Sequence, residues 1–234
     1  MNQPQRLHAA RLKLLGGALA AAGALLASAG AQAQTAGTLM VRAGATQIKP
    51  NVTSGDLTAP SFVGTQADIR SDTQFAGGVS YMLTDNISVD VPLALPFKHD
   101  IVGAGAIAGV GKIGEVRALP MTLLGQYRFL DATSAFRPYV GAGITYAKFY
   151  KARSTAALSA LTGGTPSNPT TIEVKSKFAA TLQLGATYAF SDRWFVEGDL
   201  THTFLKTRTT LSTGQTLDTK LDPNSYSIAI GYVF

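Results

Sequence analysis

Along most of this chain hydrophobic residues alternate with small or polar ones, at a period of two. At the C-terminus Tyr226, Ile228, Ile230, Tyr232 and Phe234 fall on one parity, and Ser227, Ala229, Gly231 and Val233 on the other. Residues 178–190 repeat the pattern, with Phe178, Leu182, Leu184, Tyr188 and Phe190 against Thr181, Gln183, Gly185 and Thr187. Successive side chains of a strand point to opposite faces, so each segment has one apolar and one polar or small face. Eight segments read this way: 38–48, 73–83, 87–98, 115–129, 135–149, 176–190, 194–206 and 220–234.

The connections carry the topology. Residues 84–86, 130–134 and 191–193 are short and rich in turn formers. The other four, 49–72, 99–114, 150–175 and 207–219, are long and polar or Gly-rich. Long and short gaps alternate strictly, as in an up-and-down membrane barrel with short periplasmic turns and long extracellular loops. Within 150–175, residues 153–161 read as a short helix that Gly163-Gly164-Thr165-Pro166 must stop.

The apolar parity bears aromatics near strand ends, among them Tyr81, Tyr127, Phe129, Phe136, Tyr146, Phe178, Trp194, Tyr232 and Phe234. Two aromatic girdles facing lipid account for them. The other parity carries Arg42, Asp90, Arg128, Arg137, Glu197 and Asp199, which a hydrocarbon core would not tolerate but a narrow lumen accepts as paired charges. All six are expected in the half near the short turns. They are read either as a salt-bridge plug or as the lining of a solute path, with the plug favoured. The far half has small inward residues such as Gly44, Thr46, Gly141, Gly143, Thr145 and Ala147, leaving room for a cavity.

The first 33 residues differ. Arg6, Arg11 and Lys13 precede an apolar run of Leu, Ala and Gly over 14–27, followed by Ser28-Ala29-Gly30-Ala31-Gln32-Ala33. A run of about 14 residues is too short to span a bilayer, which takes about 20, and the pattern is that of a cleaved signal peptide ending at Ala33 or Ala31. Its removal takes Lys+Arg from 20 to 17 against 14 Asp+Glu, so net charge falls from +6 to +3. The remaining cations form no stripe, and nucleic acid is not expected as a partner. With no Cys, disulfides and thiolate metal sites are excluded.

Four blocks, in order, resemble the outer-membrane protein W (OmpW) family: Thr84-Asp85-Asn86-Ile87-Ser88-Val89 through Leu95-Pro96-Phe97-Lys98-His99; 119–129; Phe136-Arg137-Pro138-Tyr139-Val140-Gly141 through Tyr146; and Leu221-Asp222-Pro223 through Gly231-Tyr232-Val233-Phe234. The resemblance covers 38–234. It implies an eight-stranded antiparallel barrel in the outer membrane of a Gram-negative bacterium, passing small hydrophobic solutes and releasing them sideways into lipid. It also implies recognition of Tyr232 and Phe234 by the barrel insertion machinery. Some members of the family are receptors for bacteriocins, which leaves a non-conducting structural or receptor barrel as the alternative. The family's lumen gate consists of large apolar side chains on the third and seventh strands; those positions here hold Pro92 and Thr201.

No catalytic residue, metal ligand set or cofactor site is expected. His99 lies just past a strand and His202 on an outward parity, both read as surface or interface residues. Gly103-Ala104-Gly105 and Gly109-Val110-Gly111 precede a strand rather than a helix, unlike a phosphate loop. A large apolar patch in the far half of the lumen would favour transport, and a lumen packed with paired charges the receptor reading.

Overall fold

The computed structural model describes residues 34–234; the expected signal peptide, 1–33, lies outside the described residues. In chain order the strands are β1 (Leu39–Lys49), β2 (Thr53–Ser54), β3 (Thr65–Ile69), β4 (Asp72–Met82), β5 (Ile87–Ala94), β6 (Phe97–Gly105), β7 (Lys112–Arg128) and β8 (Phe136–Ser154). Helix α1 (Ala156–Thr162) follows, then β9 (Ile172–Val174), β10 (Lys177–Ala189), β11 (Trp194–Thr203), β12 (Lys206–Leu211), β13 (Thr216–Lys220) and β14 (Asn224–Val233).

Eight of these close a ring of antiparallel neighbours, β1–β4–β5–β7–β8–β10–β11–β14, and β14 returns to β1. The closing ladder runs from Met40 opposite Val233 to Lys49 opposite Asn224. Closure pairs neighbouring strands around the ring without water, the condition for spanning a bilayer, except over one stretch between β5 and β7. The outward parity is an apolar belt: Phe75, Leu123, Ile144, Phe178, Leu184 and Ile228 are all more than 45% exposed. Aromatic pairs mark both rims, Trp194–Tyr232 and Tyr127–Phe129 at the short-turn end and Tyr146–Phe178 at the other.

The short turns fold by side-chain caps. The Thr84 hydroxyl accepts from the Ile87 and Asn86 N–H groups, and the Ser191 hydroxyl from the Trp194 N–H.

Beyond the far girdle the structure departs from the sequence reading, which left four loops there. β7 and β8 run on past the belt, and β6, edged by β3, pairs with the extension of β7. The expected strand 87–98 is therefore two strands, divided at Leu95-Pro96. A second sheet of order β2–β13–β12–β9 faces this extension. Between them lies a core of Leu57, Ile101, Ile107, Ile113, Leu158, Ile172, Leu211 and Leu217. The helix falls at α1, three residues later than its expected start. Thr155 caps it by accepting from Leu158 N–H at 3.3 Å, and Gly163, at φ 85°, ends it in the left-handed region where glycine alone is unstrained.

Candidate functional site

The inward side chains sort into three levels. At the short-turn end is an apolar stopper of Met40, Met82, Ala189, Phe195 and Val233, all at most 7% exposed. Phe195 sits opposite Gly231, where a Cβ would lie 2.1 Å from the ring, so only glycine leaves it room. Gln34 closes the same end. Its amide donates to Thr187 Oγ1 at 3.2 Å, and Arg137 donates to its carbonyl at 3.1 Å.

The second level is polar. Arg42 makes a two-pronged pair with Asp90, at 2.7 and 2.9 Å, and its Nε lies 3.2 Å from Glu197 Oε1. Ser80 donates to the same Asp90 carboxylate, and Tyr139 donates to Glu197 Oε1 at 2.7 Å. The sequence reading balanced three acids against three arginines, and the structure corrects it. Arg128 meets no carboxylate: it donates to Ser88 and Gln126 and lies 4.7 Å over the Tyr139 ring. Arg137 donates only to backbone carbonyls, of Gln34, Asp85, Phe129 and Leu130. Asp199 is half-buried and accepts from Gln183 Nε2 at 3.2 Å. Tyr139 and Phe195 are aromatics on the inward parity, which the alternation marks but which hydrophobicity alone would assign to the lipid face.

The third level is a cavity with about 1210 Å³ of unfilled space, its mouth included. Its floor holds Arg42, Gln183 and Asp199, and its upper walls are apolar, including Phe97, Val116, Phe149 and Leu205. A row of hydroxyls crosses one wall, with Thr122, Thr145, Thr181 and Thr203 linked at 2.8, 2.6 and 3.0 Å. At Ile69, Val116, Phe149 and Leu221 the cavity meets a second, apolar chamber inside the outer module. Both gate positions line the main cavity, Pro92 on β5 and Thr201 on β11.

The wall of this cavity is incomplete. β5 pairs with β7 only over 87–90 against 124–127, and β7 next finds a partner on that side at Ala118, opposite Phe97 of β6. Between them 91–96 and 119–123 are unpaired with each other, and Pro92, Pro96 and Pro120, which lack an N–H, flank the gap. On the lipid side the gap is a hollow floored by Leu93, Met121, Ile144 and Phe178. Pro92, Leu93, Ala94, Pro120 and Thr122 line both this hollow and the cavity.

His99 is neither the surface nor the interface residue that its place just past a strand suggests. On β6, beyond the belt, it is 5% exposed, lines the cavity and donates from Nδ1 to the Arg70 carbonyl at 2.9 Å. Burial holds its pKa below the ordinary histidine value, against the opposing pull of that carbonyl and of Asp72. His202, on the outward face, bonds Asn224 at 2.7 Å beside Phe204.

A closed eight-stranded ring with a lipid-facing apolar belt and a polar, stoppered lumen is a transmembrane β-barrel of the outer-membrane type. Over residues 35–234 the chain matches the OmpW family, and it belongs to that family. It is 33% identical to outer membrane protein W of Vibrio cholerae over 178 residues, 74% of this chain and 79% of that one. It is 26% identical over 174 residues to the dibenzothiophene metabolism operon protein PahQ of Pseudomonas aeruginosa, 73% of this chain and 76% of that one. The crystal structure of the outer membrane protein OprG from Pseudomonas aeruginosa superposes with a TM-score of 0.77 at 27% identity, covering 87% of this chain and 99% of that one. The protein is thus an outer-membrane barrel of a Gram-negative bacterium.

Proposed function

We propose that the barrel admits small hydrophobic solutes from outside and releases them sideways into the outer membrane between β5 and β7. One observation carries this reading: the lumen cavity and the lipid-facing hollow share the residues of the gap in the wall. The apolar chamber of the outer module supplies an entrance, and the stopper around Phe195 blocks straight passage to the periplasm. A solute leaving through the gap passes from apolar walls into lipid without meeting bulk water, and so without the cost of exposing its apolar surface again. The dibenzothiophene in PahQ's name is a solute of this apolar kind. In the same reading Arg42, Asp90 and Glu197 form a structural plug, residues 1–33 are removed on export, and Tyr232 and Phe234 address the chain to the insertion machinery. The relatives are named as outer membrane proteins, not as enzymes, and no catalytic role is proposed.

The chain has no cysteine, so Leu93→Cys with Met121→Cys places two unique thiols on the lipid-side edges of the gap. A cleavable thiol cross-linker should stop uptake of a fluorescent apolar solute by cells, and reduction should restore it. Uptake that continues through the cross-linked protein would exclude the sideways route. Equal uptake with and without the protein would favour the loop-receptor alternative.

A further inference from the structure

The polar floor of the cavity is one cation short, and the shortage faces the side opening. Asp90, Glu197 and Asp199 stand against Arg42 and Arg128, while Arg137 lies apart from them among the turn carbonyls at the periplasmic end. Glu197 Oε1 accepts from the Tyr139 hydroxyl at 2.7 Å and lies 3.2 Å from Arg42 Nε. Its second oxygen has no partner. Arg42 is held by Asp90, Glu197 and the Ser80 hydroxyl. Asp199 has no Lys, Arg or His within 4.0 Å among the described residues, and its neighbours are the Gln183 amide and the Ser227 hydroxyl. An unneutralised carboxylate in a confined space calls for a counter-charge.

Its position says what kind. In the ring of eight, β11 stands across the lumen from β5, and β14 across from β7. The wall bearing Asp199, Thr201, Ser225 and Ser227 therefore looks directly at the gap bounded by Pro92, Ala94 and Pro120. The cavity has a hydrogen-bonding, negatively charged side and, opposite it, an apolar exit to lipid. We infer that the preferred solutes are cationic amphiphiles: a primary ammonium docked on Asp199 and the Ser227 hydroxyl, with an apolar tail directed into the gap. An ammonium brings the missing charge and three donors, whereas an alcohol of the same length brings one weak donor and no charge. The inference rests on the cavity being a solute site, as proposed above, and adds selectivity by head group.

The test compares octylammonium with 1-octanol at pH 7, titrated calorimetrically into the full-length mature barrel in zwitterionic lipid nanodiscs, with empty discs subtracted. The wild-type protein should bind octylammonium about tenfold or more tightly than octanol, the scale of one charge-assisted hydrogen bond. Asp199→Asn should lose that preference while keeping its affinity for octanol, and Asp199→Glu should retain it. Equal binding of the two probes by the wild type, which needs no variant, overturns the inference and leaves the hydrophobic-solute reading intact. So does an unchanged preference in Asp199→Asn. If neither probe binds, the cavity is not a solute site and both readings fail.

Discussion

Replacing Asp90 with Asn tests whether the middle of the lumen is a packed plug. The carboxylate is completely buried, and three groups converge on it: both Arg42 Nη atoms, at 2.7 and 2.9 Å, and the Ser80 hydroxyl. Asparagine keeps the shape and removes the charge. Breaking a buried pair by removing one partner costs about 3–5 kcal/mol. Here the lower end applies, about 3 kcal/mol, because Glu197 remains 3.2 Å from Arg42 Nε and still compensates part of the guanidinium charge. With a urea dependence of about 3 kcal/mol per molar for a chain of this size, the unfolding midpoint should fall by about 1 M. The single Trp is the probe: Trp194 lies in the periplasmic girdle, 45% exposed on the lipid-facing side, so unfolding from phospholipid vesicles shifts its emission. Arg128→Gln, which breaks no ion pair, should cost less than Asp90→Asn. A midpoint shift below about 0.3 M in Asp90→Asn, with unchanged slope, would mean that water already solvates Arg42. The network would then line a path instead of plugging one.

Three further outcomes are expected. Gly231→Ala drives a methyl into the Phe195 ring and should cost about 1–3 kcal/mol in the same urea assay, with Phe195→Leu in the same chain recovering part of it; an unaffected midpoint would mean the stopper is loosely packed. Because burial keeps folded His99 neutral below the pH where the unfolded histidine takes up its proton, about 6.5, stability should decline as pH falls from about 7.5 to 5.5. His99→Gln should weaken that decline, and an identical pH dependence in the variant would refute the assignment. Protease added to intact cells should cut in the exposed stretch 165–169, and cleavage confined to 84–86 or 191–193 would reverse the topology.

The membrane-spanning part was legible because lipid and lumen impose opposite demands on alternate residues. The three short turns and the eight spans follow from that alternation, except that the expected span 87–98 runs across the break between β5 and β6. The outer module was not legible. Its strands β2, β9 and β13 are two to five residues long, too short to establish a period, and they bury their apolar faces against one another rather than against lipid. The same limit hid His99, which reads as a loop residue until β6 is seen to continue the barrel wall past the break at Leu95-Pro96. Parity puts the lumen charges on one face of their strands but says nothing about partners. Register shows Arg42 within reach of both Asp90 and Glu197, and leaves Arg137 among turn carbonyls. Pro92, Pro96 and Pro120 were visible as residues, but the gap they border appears only once β5 and β7 are known to be neighbours.

The break between β5 and β7 also makes this the weakest seam of the barrel. The chain ends are joined by a continuous ladder over 40–49 and 224–233, whereas β5 and β7 share only 87–90 and 124–127. Heat or chaotrope should part the wall there first, well away from the junction of the termini. A lipid-exposed strand edge is also an invitation for another extended chain to pair with it, from a neighbouring barrel or from a nascent one in the same membrane. Three prolines along this edge withdraw the N–H groups such pairing requires, while the Leu95 N–H is already held by the Phe75 carbonyl of β4. The seam is thus open to a side chain or a solute and closed to a foreign strand, which lets the protein keep a hole in its wall in a crowded membrane without becoming sticky.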